Sequence, residues 1–310
     1  MITSIQDCPN EILYIIFGLS LQGGGSAQAL DLALVCRRFK PIGLYYLYES
    51  LCIKSSGLGV VKKFEHIARV FSLENRSLPT ISSAYAPIQH LFLGLSPEDR
   101  TSTVIDSFIC YYLPRLLDVA AQSLITLSLW NVRLPSQLHT EDLSFPLLTE
   151  LTLLGDDRNS RCPGLPPPSI FPRLTHLHAW NNISEPALLS CPTLTHVRLR
   201  QAIYAFAWPP LPRHTLGPAS PIMTQMDSND GITSGGNAPQ PGDNWKVFIL
   251  QPSQSLLADF REICFRWFLL TRGRASIIPC EDPRKHFDGL EQAKRDWLDR
   301  QKGGNGCWPY

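Results

Sequence analysis

Apolar and polar residues alternate in five short phrases between residues 88 and 200. The phrases follow the pattern Leu-x-x-Leu-x-Leu, with another apolar residue in place of one leucine in some copies. They begin at Ile88, Leu124, Leu148, Leu174 and Leu194. Alternation with a period of two predicts β-strands, in which successive side chains point to opposite faces of a sheet. A single strand cannot bury an apolar face alone, so we expect the five strands to stack side by side as a parallel sheet.

Stacking in register gives this sheet two chemically different faces. The first face, predicted to be buried, carries Leu127, Leu129, Leu151, Leu153, Leu177, Val197 and Leu199. The second face carries three rows, and we expect it to be open to solvent or to a partner. The rows are His90, Thr126, Glu150, His176 and His196; then Phe92, Ser128, Thr152, His178 and Arg198; then Gly94, Trp130, Leu154, Trp180 and Arg200.

The spacing of the phrases suggests a repeat architecture. Their starts are 36, 24, 26 and 20 residues apart, and the last three intervals lie near the period of leucine-rich repeats. The region therefore resembles a short, irregular leucine-rich-repeat array, in which Asn182 would take the position of the ladder asparagine and Asn131 stands one residue early. The alternative interpretation is an ordinary α/β sheet with buried strands.

The first fifty residues carry more apolar surface than a segment of this length can bury by itself. Pro9 suits the first turn of a helix, because the N–H that it lacks would have no partner there. The stretch from Ile12 to Leu19 is apolar nearly all round, and Gly23-Gly24-Gly25 ends this first helix. A second helix is predicted from about Ser26 through Val35, and a third begins at Pro41.

These three helices resemble an F-box. The resemblance rests on a proline followed two places later by an acid, on the isoleucine-rich first helix and on the segment Val35-Cys36-Arg37-Arg38-Phe39. It implies a protein that docks onto a Skp-type adaptor and thereby joins a cullin-based ubiquitin ligase. The residues that it places at the adaptor interface are Pro9, Ile12, Leu13, Ile16, Phe17, Leu30 and Val35. Alternatively, the helices only cap one end of the repeat array.

Exposed tryptophan beside arginine is typical of protein-binding hot spots. We therefore predict that the second face, the concave face of a repeat array, binds a target protein. The predicted target-binding residues are Trp130, Glu150, His176, His178, Trp180, His196, Arg198 and Arg200. Ordinary solvated strand residues are the alternative. Glu150, His176 and His196 also suggest a metal site, but three co-planar groups without supporting side chains bind poorly, and we expect no metal.

The remaining segments complete the predicted organisation. Residues 101–123 have apolar positions at helical spacing and predict a helix with a break at Pro114. After residue 244 the pattern predicts a strand at 245–252 and helices at 253–270 and 282–301, which would cap the array. We divide the chain into an F-box-like domain at 1–52, a repeat-like array at 53–207, a disordered insertion at 208–244 and a C-terminal region at 245–310.

Composition narrows the class of protein. Of 310 residues, 44% are hydrophobic and 18% are charged, which is typical of a globular chain with a sizeable core. A net charge of +1 argues against a nucleic-acid or membrane partner. The nine cysteines include no Cys-x-x-Cys pair, which favours reduced thiols in the cytoplasm or nucleus. The N-terminus also lacks the pattern of a secretory signal.

The sequence contains no nucleophile elbow, phosphate-binding glycine loop or zinc-protease motif. We therefore expect no enzymatic activity, no catalytic residues and no cofactor. Together, the patterns predict an α/β fold with an F-box-like module and an irregular leucine-rich-repeat-like solenoid. The predicted function is that of a substrate receptor in ubiquitin-dependent protein degradation. The alternatives are a repeat scaffold without a ligase and a hydrolase or transferase with unrecognised catalytic residues.

Overall fold

The computed structural model of the chain describes residues 5–21, 25–55, 59–71, 88–96, 103–132, 143–154, 169–180, 188, 191–200, 246–251, 275–277 and 289–308. Over these residues the fold is mixed α/β with a parallel sheet, as the alternating pattern predicts. After a 3₁₀ turn at Ile5–Asp7, the helices are α1 (Asn10–Leu21), α2 (Gly25–Val35), α3 (Lys40–Glu49), α4 (Gly59–Val70), α5 (Thr103–Ala120) and α6 (Gly289–Gln301). The strands are β1 (Ser50–Ser55), β2 (His90–Leu95), β3 (Thr126–Trp130), β4 (Glu150–Leu154), β5 (His176–Trp180), β6 (His196–Arg200), β7 (Val247–Gln251) and β8 (Ala275–Ile277).

The described strands form one sheet in which spatial order follows chain order from β1 to β8. Every neighbouring pair is parallel, and equivalent positions of the phrases pair with one another. Leu127 pairs with Leu151, for example, and Leu151 pairs with Leu177. Strands β2 to β6 are the five predicted phrases and β7 is the strand predicted after residue 244, whereas β1 and β8 were not predicted.

One tight turn is repeated before β4, β5 and β6. In each copy an N–H donates to the carbonyl oxygen three residues earlier over 3.2 Å. The donor and acceptor pairs are Leu148 and Phe145, Leu174 and Phe171, and Leu194 and Cys191. A proline follows each acceptor, at the turn position where its fixed φ is favourable. These prolines therefore start each new strand as well as ending the segment before it.

A threonine after each turn ties its strand to the preceding one. The hydroxyls of Thr149, Thr175 and Thr195 donate to carbonyl oxygens of the preceding strand segment over 3.3, 3.0 and 3.1 Å. Beyond β3, the side chain of Asn131 donates to the carbonyl oxygen of Leu95 over 3.1 Å. Asn131 therefore holds the end of β2, although the sequence pattern placed the ladder position one residue later.

The first face of the sheet packs on α4 and α5. Its predicted apolar residues are buried, except Leu153, which is half-buried. Helix α5 continues through Pro114, so the predicted break there is wrong. Leu113, Leu116 and Leu117 on both sides of the proline are fully buried. Their packing outweighs the roughly 3 kcal/mol that an interior proline costs a helix.

Helices α1 to α3 form a small module with its own core. Its buried side chains are Cys8, Leu13, Phe17, Phe39 and Ile42. Gly43 brings α3 close to α2, because a Cβ at this position would lie only 2.6 Å from the backbone of Ala29 and Ala33. Helix α3 runs directly into β1, and Tyr48 near its end belongs to the core of the sheet.

Helix α6 lies across the second face, against β2 and β3. The prediction that the C-terminal helix caps the C-terminal end of the array is therefore wrong, since the last strand that the structure describes is β8 and the helix does not lie there. The disorder predicted for residues 208–244 and the helix predicted at 253–270 lie outside the described residues, as does Asn182. None of the described helices is long and apolar enough to cross a membrane.

Candidate functional site

Helices α1 and α2 each expose a stripe of large aliphatic side chains, and we call the two stripes together the apolar patch. The stripe on α1 consists of Ile12, Ile15, Ile16 and Leu19, and that on α2 of Leu30, Leu34 and Val35. These side chains are between 43% and 75% exposed. So many exposed aliphatic groups on two contacting helices are typical of a protein-binding surface, unlike single exposed residues.

The apolar patch contains only part of the predicted adaptor interface. Pro9, Ile12, Ile16, Leu30 and Val35 are exposed, as an interface requires. Leu13 and Phe17 are instead buried in the module core, where the ring of Phe17 lies 5.0 Å from that of Phe39. A helix that is apolar nearly all round does not reveal which stripe faces inward. For the same reason the prediction missed Ile15 and Leu19 on α1, and on α2 it also missed Leu34.

Arg38 fastens the turn between α2 and α3 to the start of α1. Its Nη2 donates to the carbonyl oxygen of Cys8, and its Nε and Nη2 lie 3.1 Å from Oδ1 of Asn10. The first arginine of the same segment, Arg37, is exposed. Because Arg38 joins the start of α1 to the turn between α2 and α3, it holds the apolar patch in shape.

The second face of the sheet is covered by residues 289–308, which we call the C-terminal segment. Within it, α6 buries Ala293 and Trp297 in a cluster with Phe92, Trp130 and Leu154. The ring of Trp297 lies 5.5 Å from that of Phe92, and its Nε1 donates to the hydroxyl of Thr126 over 3.3 Å. The cover is therefore held by specific contacts along the rows of the sheet.

An ion pair between Glu150 and Arg300 fastens the end of α6 to the middle of the sheet. Both side chains are largely buried, with 8% of Glu150 and 17% of Arg300 exposed. Burial raises the pKa of Glu150 to about 7, although the charge and hydrogen bond of Arg300 act in the opposite direction. The carboxyl group therefore changes its charge near neutral pH while it lies against the cover.

His176 and His196 stack on the second face, and Trp308 lies across them. The imidazole rings are 4.2 Å apart and nearly parallel, while the ring of Trp308 lies edge-on at 5.4 and 5.7 Å. Burial, followed by the charges of Arg300 and His196, lowers the pKa of His176 to about 3. The stacked rings are consequently neutral at physiological pH and provide a flat apolar platform for an indole.

The chain reaches Trp308 through a turn that requires glycine. Gly303 and Gly306 have φ of 82° and 55°, in the left-handed region that favours glycine. The turn brings the carbonyl oxygen of Cys307 to Nη1 of Arg198, and the sulfur of Cys307 to 3.4 Å from Nδ1 of His178. Within the described part of the chain, neither Nε2 of the buried His178 nor Nε1 of Trp308 has a hydrogen-bond partner.

The register of the predicted target-binding rows is confirmed, but their exposure is not. Trp130, Glu150, His178 and Arg198 are buried, whereas His176, His196 and Arg200 are half-buried. The side chain of Trp180 lies outside the described part of the structure. The expectation that this face is open is wrong, because the chain itself occupies it with a helix and a tryptophan.

The described residues contain no group of three or more histidines, cysteines or carboxylates that could hold a metal ion. Glu150 pairs with Arg300, and the two stacked histidines each direct Nδ1 toward the hydroxyl of the preceding threonine. These groups provide charge, stacking and hydrogen bonds, which suit recognition of a polypeptide. Comparisons of the chain with family models, with curated proteins and with solved structures found no match.

Proposed function

We propose that the chain is the substrate receptor of a cullin-based ubiquitin ligase, which binds a Skp-type adaptor through the apolar patch and a target protein through the second face. The observation that carries this proposal is an exposed apolar patch on a module whose own core is already complete. Leu13 and Phe17 fill that core, so Ile12 and Ile16 are not needed to hold the helices together. They are available to a partner.

The identity of the partner is supported by the resemblance of this module to an F-box. Fully burying an aliphatic side chain stabilises a complex by about 1.5–3 kcal/mol, so these half-exposed residues gain roughly 1 kcal/mol each when covered. Seven such residues supply several kcal/mol toward association.

A parallel sheet with strands in chain order and a repeated turn supports a repeat array as the target-binding part. In the proposed role the chain performs no chemistry. It holds a target protein near a ubiquitin-charged enzyme, which raises the local concentration of target lysines at the reactive thioester.

Co-expression with a Skp-type adaptor tests the adaptor half of the proposal. The wild-type chain should form a one-to-one complex, which size-exclusion chromatography with light scattering measures. Ile12→Asp and Ile16→Asp should each weaken it by roughly 30-fold or more, because an unpaired buried charge costs at least about 2 kcal/mol. Leu147→Asp is the matched control, since Leu147 is an exposed leucine in the turn before β4 and does not belong to the module.

The two aspartate variants should melt at the same temperature as the wild-type chain, because Ile12 and Ile16 are exposed in the free protein. This control separates loss of binding from loss of folding. A wild-type chain that stays monomeric in the presence of the adaptor would contradict the proposal. A repeat scaffold without a ligase would then be the better interpretation.

A further inference from the structure

The C-terminal segment occupies the surface that the proposed function assigns to the target. Its principal contacts are made by Trp297, Arg300 and Trp308, and tryptophan and arginine are the residue types enriched at protein-binding hot spots. The partners on the sheet include Glu150 and the stacked histidines. The contact thus has the composition of an interface between two polypeptides.

This cover is less deeply buried than the helices on the first face. Helix α5 contributes several side chains with no exposed surface, including Leu113 and Leu116. The best-buried side chains of α6, Ala293 and Trp297, retain 8% and 5% exposure. Among the described side chains, α5 buries at least six apolar ones and α6 buries two, so less apolar burial holds α6 in place and we expect it to be held more weakly than α5.

The C-terminal segment also leaves buried polar atoms at the second face without hydrogen-bond partners. His178 is buried, yet its Nε2 has no hydrogen-bond partner among the described residues, and the same holds for Nε1 of Trp308. Buried polar atoms without hydrogen-bond partners oppose burial, and native cores rarely retain them. An occupant that places a hydrogen-bonding group at Nε2 of His178 would fit this face better than the C-terminal segment does.

From these contacts we infer that the C-terminal segment is an autoinhibitory occupant of the target-binding face, and that a target displaces it with a segment of similar chemistry. The displacing segment carries a cationic side chain for Glu150, an indole for the His176–His196 platform and a hydrogen-bonding group for Nε2 of His178. This inference rests on the proposed function, because it assumes that the second face is where a target binds.

A synthetic peptide of residues 289–308 is the probe that tests the inference. It is labelled with fluorescein at its N-terminus, kept in reducing buffer and titrated with the full chain while fluorescence anisotropy is measured. The wild-type chain should bind it weakly, because its own segment competes. The Arg300→Ala/Trp308→Ala chain should bind it at least tenfold more tightly, because its own segment has lost two of its main contacts.

Two matched controls accompany this titration. The chain Arg295→Ala/Lys302→Ala changes two exposed residues of the same segment, and it should bind the peptide as weakly as the wild-type chain does. A peptide that carries the Arg300 and Trp308 replacements should bind neither chain. Equal binding of the two peptides would show that these contacts do not select the occupant.

Hydrogen exchange of the wild-type chain provides a second measurement that needs no variant. The amides of α6 should exchange faster than those of β3 to β5, since the segment leaves while the sheet stays folded. The inference would be overturned if α6 and the strands exchanged as one cooperative unit. It would also be overturned if the double variant bound the peptide no more tightly than the wild-type chain does. No adaptor is present in either assay, so these results are independent of the test of adaptor binding.

Discussion

Replacing Arg300 with methionine removes the cation beside Glu150 while keeping an unbranched stem that can pack in place of the arginine's aliphatic part. The wild-type pair is largely buried, and it connects α6 to β4. Breaking a buried ion pair from one side costs about 3–5 kcal/mol, provided that the remaining group stays charged. Glu150 can avoid part of this cost by binding a proton, so the penalty depends on pH.

The direction of this dependence follows from the pKa of Glu150. Burial raises it from 4.5 to about 7, so the folded chain keeps a proton that the unfolded chain has released. The contribution of this group to stability is complete below about pH 4.5 and is lost as the pH rises through 7. At about 1.4 kcal/mol per pH unit, the loss amounts to roughly 3 kcal/mol. Without Arg300 the pKa rises further, and the loss extends to higher pH.

The histidines of the same face act in the opposite direction. Burial lowers the pKa of His90 to about 4, and burial together with Arg300 and His196 lowers that of His176 to about 3. Their contribution to stability therefore rises with pH from these values to about 6.5, where the unfolded imidazoles lose their protons. The effect of Glu150 must accordingly be read as a difference between variants at each pH.

Urea unfolding and hydrogen exchange of the α6 amides, each at pH 5.5 and pH 8, measure this difference. We expect Arg300→Met to lose about 1 kcal/mol at pH 5.5 and about 1.4 kcal/mol more at pH 8, in the stability of α6 docking or of the whole chain, because the wild-type Glu150 releases its proton over about one pH unit of this interval. The double variant Glu150→Gln/Arg300→Met should recover most of the loss at pH 8. An equal penalty at both pH values, or a double variant no more stable than the single one, would refute this reasoning.

Two further predictions concern the module and the cover. Arg38→Ala should destabilise the module by about 1–3 kcal/mol in thermal melts, because the variant loses the hydrogen bonds to Cys8 and to the start of α1. Arg37→Ala should change the stability of the module by less than about 0.5 kcal/mol, and equal effects of the two variants would contradict this role of Arg38. Gly94→Ala should cost about 1 kcal/mol, because its Cβ would meet Cδ1 of Leu290, the end of a half-buried side chain that then has to shift. Adding Leu290→Ala should recover part of this cost, and strictly additive losses would exclude the collision.

The strands and their register follow directly from the sequence, because alternation with a period of two is a local property. Equivalent positions in the phrases, such as His176 and His196, pair as that pattern predicts. Helix α4 was missed although its signal is visible, since Val60, Phe64 and Ile67 recur at helical spacing and are all buried. Strand β1 was missed because its segment has no leucine phrase.

Local patterns in the sequence could not predict where the C-terminal helix packs. Its apolar stripe of Leu290, Ala293 and Trp297 is visible in the sequence, but a stripe predicts only that something covers it. The partner is set by features more than 100 residues away, such as Thr126 for the indole of Trp297. In the same way, the choice between Leu13 and Ile12 as the buried stripe of α1 depends on how α3 approaches it.

The agreement between strand order and chain order has a consequence for synthesis of the protein. Each strand pairs with the one made just before it, so the sheet can grow progressively as the chain leaves the ribosome, with little entropy lost in loop closure. The contact of Gln301 with Ser50 spans 251 residues and forms only after the last strand has been made. Until then Phe92 and Trp130 lack the cover of α6, so the growing chain exposes an apolar face of the kind that makes folding intermediates prone to aggregate.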